Sequence, residues 1–336
     1  MQITVLDDYQ DAVRKLDCAQ ELAGHELKIF NNTVKGVGQL SVRLRDAQAV
    51  VLIRERTALS RQLLEKCPKL QLVVQTGRIG PHVDLQACSA LGIAVSEGRT
   101  DPTVTAELTW ALVMAAMRRL PQYIASLKHG AWQQAGLKSQ SMPPNFGLGQ
   151  RLSGKTFGIW GFGRIGQRVA HYAHAFDMRV LVWGSERSRA LAVEQGFTAA
   201  ASRDALFADS DVLSLHLRLN DDTRSLITLA DLSQMRPTAV LVNTARPELL
   251  APDALVAALN RGRPGLAAVD VFEAEPILQG HPLLRLENAI CTPHIGFVEQ
   301  AHYEQMFAQA FTTIRAFATG DTSGVLNPQA LAMRRG

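Results

Sequence analysis

The chain has 336 residues, more than the roughly 250 to 300 at which a single hydrophobic core stops growing, so we expect two domains rather than one. Hydrophobic residues make up 47% of it and charged residues 20%, with 25 Gly and 14 Pro, which excludes disordered, collagenous and coiled-coil classes. The net charge of +4 is spread along the chain and forms no basic tail or stripe. A small anionic ligand is compatible with this charge, whereas nucleic acid is not expected as a partner.

The cysteines number four, lie far apart and form no C-x-x-C pair: Cys18, Cys67, Cys88 and Cys291. That spacing argues against a zinc knuckle and a thioredoxin-type motif, so we expect no metal site and a reducing compartment. The first residues follow a strand pattern and lack the charged start and apolar stretch of a signal peptide. The longest uncharged apolar run, residues 108–117, is about half of the roughly 20 residues that cross a bilayer. These features predict a cytoplasmic protein with no membrane partner.

Short apolar runs alternate with helical patterns along the whole chain, which predicts an α/β protein with parallel sheets joined by crossover helices. The first part contains five strand candidates, at residues 3–6, 27–30, 49–53, 70–74 and 93–95. The second part contains six, at residues 157–160, 179–183, 212–217, 240–243, 266–269 and 289–291. The expected fold is two Rossmann-like doubly wound domains, of which the first is flavodoxin-like and discontinuous.

Helices mark the predicted domain boundaries. The helix predicted at residues 103–120 carries only Glu107 as an interior charge, which is typical of a helix packed between domains or subunits. Such a helix would expose a large apolar patch on a monomer, so it predicts a homodimer. A loop is predicted at 138–150 and a last helix at 299–319, which is expected to return to the first sheet. The predicted domains are residues 1–101 with 295–336, and residues 102–294.

Residues 161–166 read G-F-G-R-I-G, a G-x-G-x-x-G motif between an apolar strand candidate and a helical pattern. Gly161 allows the tight turn, Gly163 lets the backbone approach a pyrophosphate, and Gly166 lets the helix pack on the strand. Arg164 adds a positive charge at the same helix end. A bare motif of this kind is often only a glycine-rich turn, but its strand-loop-helix context predicts dinucleotide binding.

The end of the next strand leaves the choice between NAD and NADP open. The acidic residue that binds ribose hydroxyls in NAD sites is expected near Gly184 and is absent there. Glu186 comes two residues later, while Ser185, Arg187 and Arg189 could hold a 2′-phosphate. The alternative for each of these residues is a solvated, charged turn.

Ligands of open α/β sheets bind at the carboxyl ends of the strands, where this sequence places seven residues: Gly161, Ser185, His216, Thr244, Arg246, Asp270 and His294. His294 suits the role of proton donor in the reduction of a carbonyl at neutral pH. Glu275 follows on the loop after Asp270, and a carboxylate beside His294 would favour the imidazolium. Arg246 can clamp a substrate carboxylate and polarise its carbonyl. Taken singly, each is more often structural or solvated.

Four segments together resemble the signatures of the D-isomer-specific 2-hydroxyacid dehydrogenases, in both order and spacing: G-F-G-R-I-G at 161–166, V-N-T-A-R at 242–246, V-D-V-F-E-A-E-P at 269–276 and T-P-H-I-G at 292–296. The family includes D-lactate, glycerate or hydroxypyruvate, and 3-phosphoglycerate dehydrogenases. The resemblance implies that Arg246, Glu275 and His294 are catalytic, with His294 the acid/base. It also implies that NAD or NADP is the cofactor and that residues 102–294 bind it, with contacts from Arg164, Ile165, Thr244, Ala245, Asp270 and Gly296.

The resemblance further implies that the first domain binds a small 2-ketoacid or 2-hydroxyacid through residues 77–79. The family loop usually reads G-x-G-x-D, whereas this chain has Gly77, Arg78 and Ile79 followed by Gly80 and a later aspartate. Arg78 could meet an acidic substituent or face solvent. Glyoxylate, hydroxypyruvate, pyruvate and 3-phosphohydroxypyruvate all remain candidates.

Two other functions share this superfamily. A dinucleotide-sensing, corepressor-like binding protein could keep the same three catalytic residues, although the chain lacks segments suited to recruiting partners. Formate dehydrogenases share the fold, but their chemistry needs no acid/base, so Glu275 and His294 argue against one. The sequence therefore favours an NAD(P)-dependent oxidoreductase.

Overall fold

A computed structural model describes residues 1–130, 132–133 and 147–333. The chain divides into two compact units, the first formed by residues 1–101 with 298–336 and the second by residues 102–297. The sequence-based boundary between residues 294 and 295 falls inside the second unit. Residues 138–146 of the predicted loop lie outside the described residues.

The first unit contains a parallel sheet in the order β2-β1-β3-β4-β5, the flavodoxin-like order that the sequence predicts. Its strands are β1 (Gln2–Leu6), β2 (Glu26–Ile29), β3 (Ala49–Leu52), β4 (Leu72–Gln75) and β5 (Ala94–Glu97). Helices α1 (Val37–Leu44), α2 (Arg61–Leu64) and α3 (Leu85–Ala90) connect them. The central strands β3 and β4 are buried along their whole length, which explains why every residue in them except Gln75 is apolar.

The second unit opens with α4 (Pro102–Met117) and α5 (Leu120–Lys128). Its strands are β6 (Thr156–Trp160), β7 (Arg179–Trp183), β8 (Thr198–Ala199), β9 (Val212–Leu215), β10 (Val240–Asn243), β11 (Leu266–Val269) and β12 (Ala289–Cys291). Its other helices are α6 (Arg164–Ala175), α7 (Glu186–Glu194), α8 (Arg203–Asp209), α9 (Leu229–Ser233) and α10 (Ala254–Asn260). The strand order is β12-β11-β10-β9-β6-β7-β8, all parallel. The order reverses between β6 and β9, which is where this fold binds ligands.

Two details of the second unit differ from the sequence prediction. The sheet has seven strands and not six, because the edge strand β8 is only two residues long and gives no apolar pattern. The single helix predicted at 103–120 is instead two, separated at Arg119, whose φ of 56° is left-handed and cannot continue a right-handed helix. Helix α4 packs on α6, β10 and β11 of its own unit, so its apolar residues are largely covered. Leu108, Trp110 and Met114 of α4 are only partly buried, and the predicted dimer interface on this helix stays a prediction.

The chain returns to the first unit with α11 (Gln300–Ala318), which packs against β4. Glu299 caps the helix by accepting from the backbone N–H groups of Ala301 and His302. The first domain is therefore discontinuous, as the sequence predicts. Among the described residues, no helix combines the length and apolarity that a membrane span requires.

Candidate active site

The loop between β6 and α6 has the backbone geometry of a dinucleotide site. Gly161 has a φ of 99°, and a Cβ there would lie 2.7 Å from the carbonyl oxygen of His216. A Cβ on Gly166 would overlap the carbonyl oxygen of Gly161, so α6 approaches β6 only because this position has no side chain. By contrast, a Cβ on Gly163 would meet no atom within 4 Å. The N-terminus of α6, which starts at Arg164, has no side-chain cap, so its N–H groups suit an anionic ligand.

The turn after β7 carries the residues predicted for cofactor choice. The side chain of Ser185 caps α7 by accepting from the backbone N–H three residues on, at 3.3 Å. Glu186 and Arg187 are exposed in the first turn of that helix. The guanidinium of Arg189 lies over the ring of Trp183, 4.6 Å from its centre, and its Nε has no hydrogen-bond partner among the described residues. The turn thus presents one fixed arginine and one exposed carboxylate.

Asn243 shapes the turn at the end of β10, where the candidate Arg246 lies. Its side chain accepts from the Ala245 N–H at 3.0 Å and donates to the carbonyl of Arg246 at 2.9 Å. The neighbouring Thr244 is buried, and its hydroxyl lies 2.7 Å from that of Thr109. His216, after β9, lies beside Ser214, with 2.9 Å between Nε2 and the hydroxyl oxygen. Burial lowers the pKa of His216 to about 4, so this imidazole is neutral near pH 7.

Asp270, at the end of β11, holds the loop that follows β12. Its Oδ1 accepts from the Thr292 hydroxyl at 2.6 Å and from the Ile295 N–H at 2.9 Å, and its Oδ2 accepts from the Gly296 N–H at 2.8 Å. A Cβ on Gly296 would lie only 3.1 Å from Oδ2, so this position favours glycine. Burial raises the pKa of Asp270, and these hydrogen bonds and the charge of His294 oppose that rise. A buried carboxyl thus organises three residues around His294.

His294 and Glu275 are in contact at the same edge of the sheet. Nδ1 of His294 lies 2.6 Å from Oε2 of Glu275, while Oε1 accepts from the Phe272 N–H at 3.0 Å. Burial raises the pKa of Glu275, but the hydrogen bond and charge of His294, the Phe272 N–H and the charge of Arg246 together leave it below its ordinary value. His294 itself has a φ of 51°, which is uncommon outside glycine.

Two threonines of α4 also contact this edge, and the sequence analysis missed them. The hydroxyl of Thr105 donates to the carbonyl of Gly296 at 2.8 Å, and Thr109 contacts Thr244. Thr109 is fully buried. Their signal in the sequence is a pair of hydroxyls one turn apart in a helix whose other polar side chains are only Thr103 and Glu107, and its meaning is detectable only once the neighbouring loops are known.

The predicted substrate loop belongs to the first unit, and its three residues differ in exposure. Gly77 is buried, Arg78 is exposed and Ile79 is half-buried. A Cβ on Gly77 would overlap the guanidinium of Arg54, so the glycine admits a second arginine that the sequence analysis did not consider. The Ile79 N–H donates to Glu97 at 2.9 Å. This loop therefore lies beside two arginines, Arg78 and Arg54, and one carboxylate, that of Glu97.

The second unit combines a doubly wound parallel sheet, a glycine-rich turn after β6 and the ionisable side chains of Asp270, Glu275 and His294 at the carboxyl edge. This combination defines a dinucleotide-binding enzyme. The family model for the D-isomer specific 2-hydroxyacid dehydrogenase, NAD binding domain, matches residues 110–296. The chain belongs to this family of NAD-dependent oxidoreductases that act on a CH–OH group, which confirms the resemblance. Within the described ranges, no cluster of three potential metal-binding side chains occurs.

Three relatives illustrate the similarity. Glyoxylate reductase from Aeropyrum pernix is 36% identical over 83% of this chain and 82% of its own length. An oxidoreductase from Ralstonia solanacearum, provisionally described as a D-3-phosphoglycerate dehydrogenase, has a crystal structure with 62% identity, a TM-score of 0.96 and 98% coverage of both chains. D-lactate dehydrogenase from Aquifex aeolicus, complexed with NAD and lactic acid, has 28% identity, a TM-score of 0.74 and coverage of 97% and 99%.

Proposed function

We propose that this protein interconverts a small 2-ketoacid and the corresponding D-2-hydroxyacid with NAD(P). The observation that carries the proposal is the 2.6 Å contact between His294 and Glu275 at the carboxyl edge of the nucleotide-binding sheet. A reduction of this kind needs a proton donor for the alkoxide that develops on the carbonyl oxygen, and an imidazolium supplies it near neutral pH.

In this proposal each of three residues has one task. His294 donates the proton in reduction and accepts it in oxidation through Nε2, because Nδ1 is engaged by Glu275. Glu275 fixes the ring and favours its charged form. Arg246 binds the substrate carboxylate and polarises the carbonyl with its planar fork of donors.

The residues proposed to hold the cofactor fit a dinucleotide. The open face of Gly163 and the uncapped α6 suit a pyrophosphate, with Arg164 and Ile165 beginning the helix. Thr244, Ala245 and Asp270 directly follow the adjacent strands β10 and β11, and Gly296 lies on the loop after β12. A bound nicotinamide supplies the hydride for the reaction.

We further propose that NADPH is accepted at least as well as NADH. The position at Gly184 offers no carboxylate to repel a 2′-phosphate, and Arg189 is held close by through Trp183. Glu186 is exposed in the first turn of α7, and Ser185 and Arg187 flank it. The two cations of this turn outweigh that one carboxylate.

The substrate itself is proposed to carry an acidic group beyond its 2-ketoacid carboxylate, bound by the first domain through Gly77, Arg78 and Ile79. The support is the exposed side chain of Arg78 and the guanidinium of Arg54 over Gly77. Among the candidates, 3-phosphohydroxypyruvate carries such a group, whereas glyoxylate, pyruvate and hydroxypyruvate do not.

The proposed assembly is a homodimer formed through α5. No residue of this helix is buried, and Leu120, Ile124 and Leu127 are 45%, 53% and 57% exposed at positions that share one face. An apolar face of this kind suits a self-complementary contact across a two-fold axis. Sedimentation of Ile124→Glu should give a single chain, whereas Val42→Glu, on the exposed part of α1, should leave the dimer intact. A wild-type monomer at micromolar concentration would contradict the proposal.

The test of function is reduction of glyoxylate, hydroxypyruvate, pyruvate and 3-phosphohydroxypyruvate with both cofactors. His294→Asn should lower kcat about 10²-fold to 10⁴-fold while nucleotide affinity stays unchanged. The matched control is His281→Asn, since His281 also faces a glutamate, Glu273, at 3.4 Å but caps a short helix. Nucleotide binding without turnover of any ketoacid would instead support a corepressor-like sensor.

A further inference from the structure

Helix α4 brings two hydroxyls to the loops that carry the proposed catalytic and cofactor residues. Thr105 lies in its first turn and Thr109 lies one turn later, on the same face. Each contacts a different loop, Thr105 the one after β12 and Thr109 the one after β10. Neither residue belongs to the proposed catalytic group.

The hydrogen bonds of Thr109 fix the direction of a short chain of hydroxyls. A hydroxyl has one hydrogen to donate, and Thr109 donates to the carbonyl of Thr105 at 2.8 Å. The 2.7 Å contact with Thr244 must then be donated by Thr244. The hydroxyl of Thr244 has thereby used its hydrogen, so it can only accept from a further group, such as the amide N–H of a nucleotide.

Thr105 completes the fixation of Gly296. The N–H of Gly296 donates to Asp270 at 2.8 Å, and its carbonyl accepts from Thr105 at 2.8 Å, so both backbone polar groups of this residue are held. Two residues earlier, His294 has its left-handed φ of 51°, and its N–H donates to the carbonyl of Thr292 at 2.9 Å. A conformation of this kind persists only where the surroundings hold it.

We propose that Thr105 and Thr109 are positioning residues for the reaction, acting through Gly296 and Thr244. Thr105 keeps the loop of His294 in the geometry that pairs it with Glu275. Thr109 orients the hydroxyl of Thr244 as an acceptor toward the nucleotide. The proposal rests on the proposed function, because it assigns these hydroxyls to the same site.

The first experiment removes the hydroxyl of Thr105 without changing its shape. Thr105→Val should lower kcat about tenfold, the effect of one lost hydrogen bond of about 1.4 kcal/mol, with KM for the ketoacid little changed. The alkaline limb of the kcat/KM profile for reduction should move to lower pH, because a looser loop weakens the contact between His294 and Glu275. Thr105→Ser should restore both values.

The matched control is Thr313→Val. The hydroxyl of Thr313 also donates to a backbone carbonyl, at 2.9 Å, but that carbonyl belongs to Gln309 of the same helix, α11, and not to a loop of the site. It should lower thermal stability at most and leave the pH profile unchanged. If Thr105→Val lowers thermal stability but not kcat or the pH limb, the threonine is merely structural and the proposal fails for it.

The second experiment measures NADH and NADPH binding by fluorescence, with no ketoacid present. Thr109→Val should raise Kd about tenfold and Thr109→Ser should restore it, since only the serine keeps the hydroxyl. An unchanged Kd in Thr109→Val would overturn its role.

A third measurement separates this proposal from the proposed function. The imidazole titration of His294, followed by NMR in wild type and Thr105→Val, needs no turnover. If wild type reduces no ketoacid, but the His294 titration still shifts in Thr105→Val and the nucleotide Kd still rises in Thr109→Val, the proposed function is wrong and the positioning role stands. If wild type is active, but the His294 titration is unchanged in Thr105→Val and the nucleotide Kd is unchanged in Thr109→Val, the positioning role is wrong.

Discussion

Nδ1 of His294 and Oε2 of Glu275 lie 2.6 Å apart, and this contact decides which nitrogen of the ring is left for chemistry. An ionised carboxylate only accepts hydrogen bonds, so Nδ1 is the donor and carries a hydrogen in both charge states of the ring. In the proposed mechanism the transferable proton is therefore on Nε2. The opposite oxygen of the carboxylate is held by the Phe272 N–H, so the pair cannot rotate freely.

Glu275→Gln should move the alkaline limb of kcat/KM for reduction to lower pH. The wild-type carboxylate, whose pKa lies below its ordinary value, is charged throughout the neutral range and favours the imidazolium. The neutral amide gives no such preference, so the proton donor is lost at a lower pH. A pH series with one good ketoacid measures the shift.

The control for this variant is Glu273→Gln, which alters an exposed carboxylate two residues away. Its pH profile should match that of the wild type. An alkaline limb of Glu275→Gln that stays in place, or that moves upward, would show that Glu275 is not the functional partner of His294.

The sequence predicts the strands and the residues that follow them well, because buried parallel strands are short apolar runs and the carboxyl ends of such strands meet at one edge. His294, Glu275 and Asp270 come together for this reason. The hydroxyls of Thr105 and Thr109 could not be found in this way, because their partners are set by the packing of α4 and not by any local pattern.

The break after α4 was missed for a related reason. Arg119 adopts a left-handed conformation without being a glycine, and Pro121, the nearest helix breaker in the sequence, already lies in the first turn of α5, so the apolar pattern carries the predicted helix past the true end of α4. The same break separates α4 from α5, on which the large apolar side chains of Leu120, Ile124 and Leu127 are exposed.

Arg246→Ala should raise KM and lower kcat about 10²-fold, because in the proposed mechanism the guanidinium binds the carboxylate before and during the reaction. Arg246→Lys should recover only part of the loss, since an ammonium lacks the planar fork. Steady-state kinetics with one ketoacid test both variants, and Arg263→Ala, in the same unit, is the control. A Lys variant equal to wild type would exclude bidentate recognition.

Arg189→Ala should weaken binding of NADPH about tenfold more than binding of NADH. Its guanidinium lies on Trp183 at the turn where a 2′-phosphate would be recognised, and the loss corresponds to one charged contact of about 1.4 kcal/mol. Fluorescence titration with each nucleotide gives the two affinities, and Arg168→Ala, on the exposed face of α6, is the control. In wild type, a preference for NADH on the order of a hundredfold would contradict the proposed cofactor choice and point to Glu186 as the ribose ligand.

Acidification should destabilise the protein through His216. Burial lowers the pKa of this imidazole to about 4 from the 6.5 of an exposed histidine, so between these values the unfolded chain binds a proton that the folded chain does not. Stability should therefore fall as the pH drops from 6.5 to 4, with a slope of up to about 1.4 kcal/mol per pH unit from this group. His216→Gln, which cannot titrate, should show a shallower fall in urea unfolding across this range, whereas His171→Gln, on the exposed face of α6, should keep the wild-type slope. Equal slopes for His216→Gln and wild type would mean that the imidazole is hydrated in the folded protein.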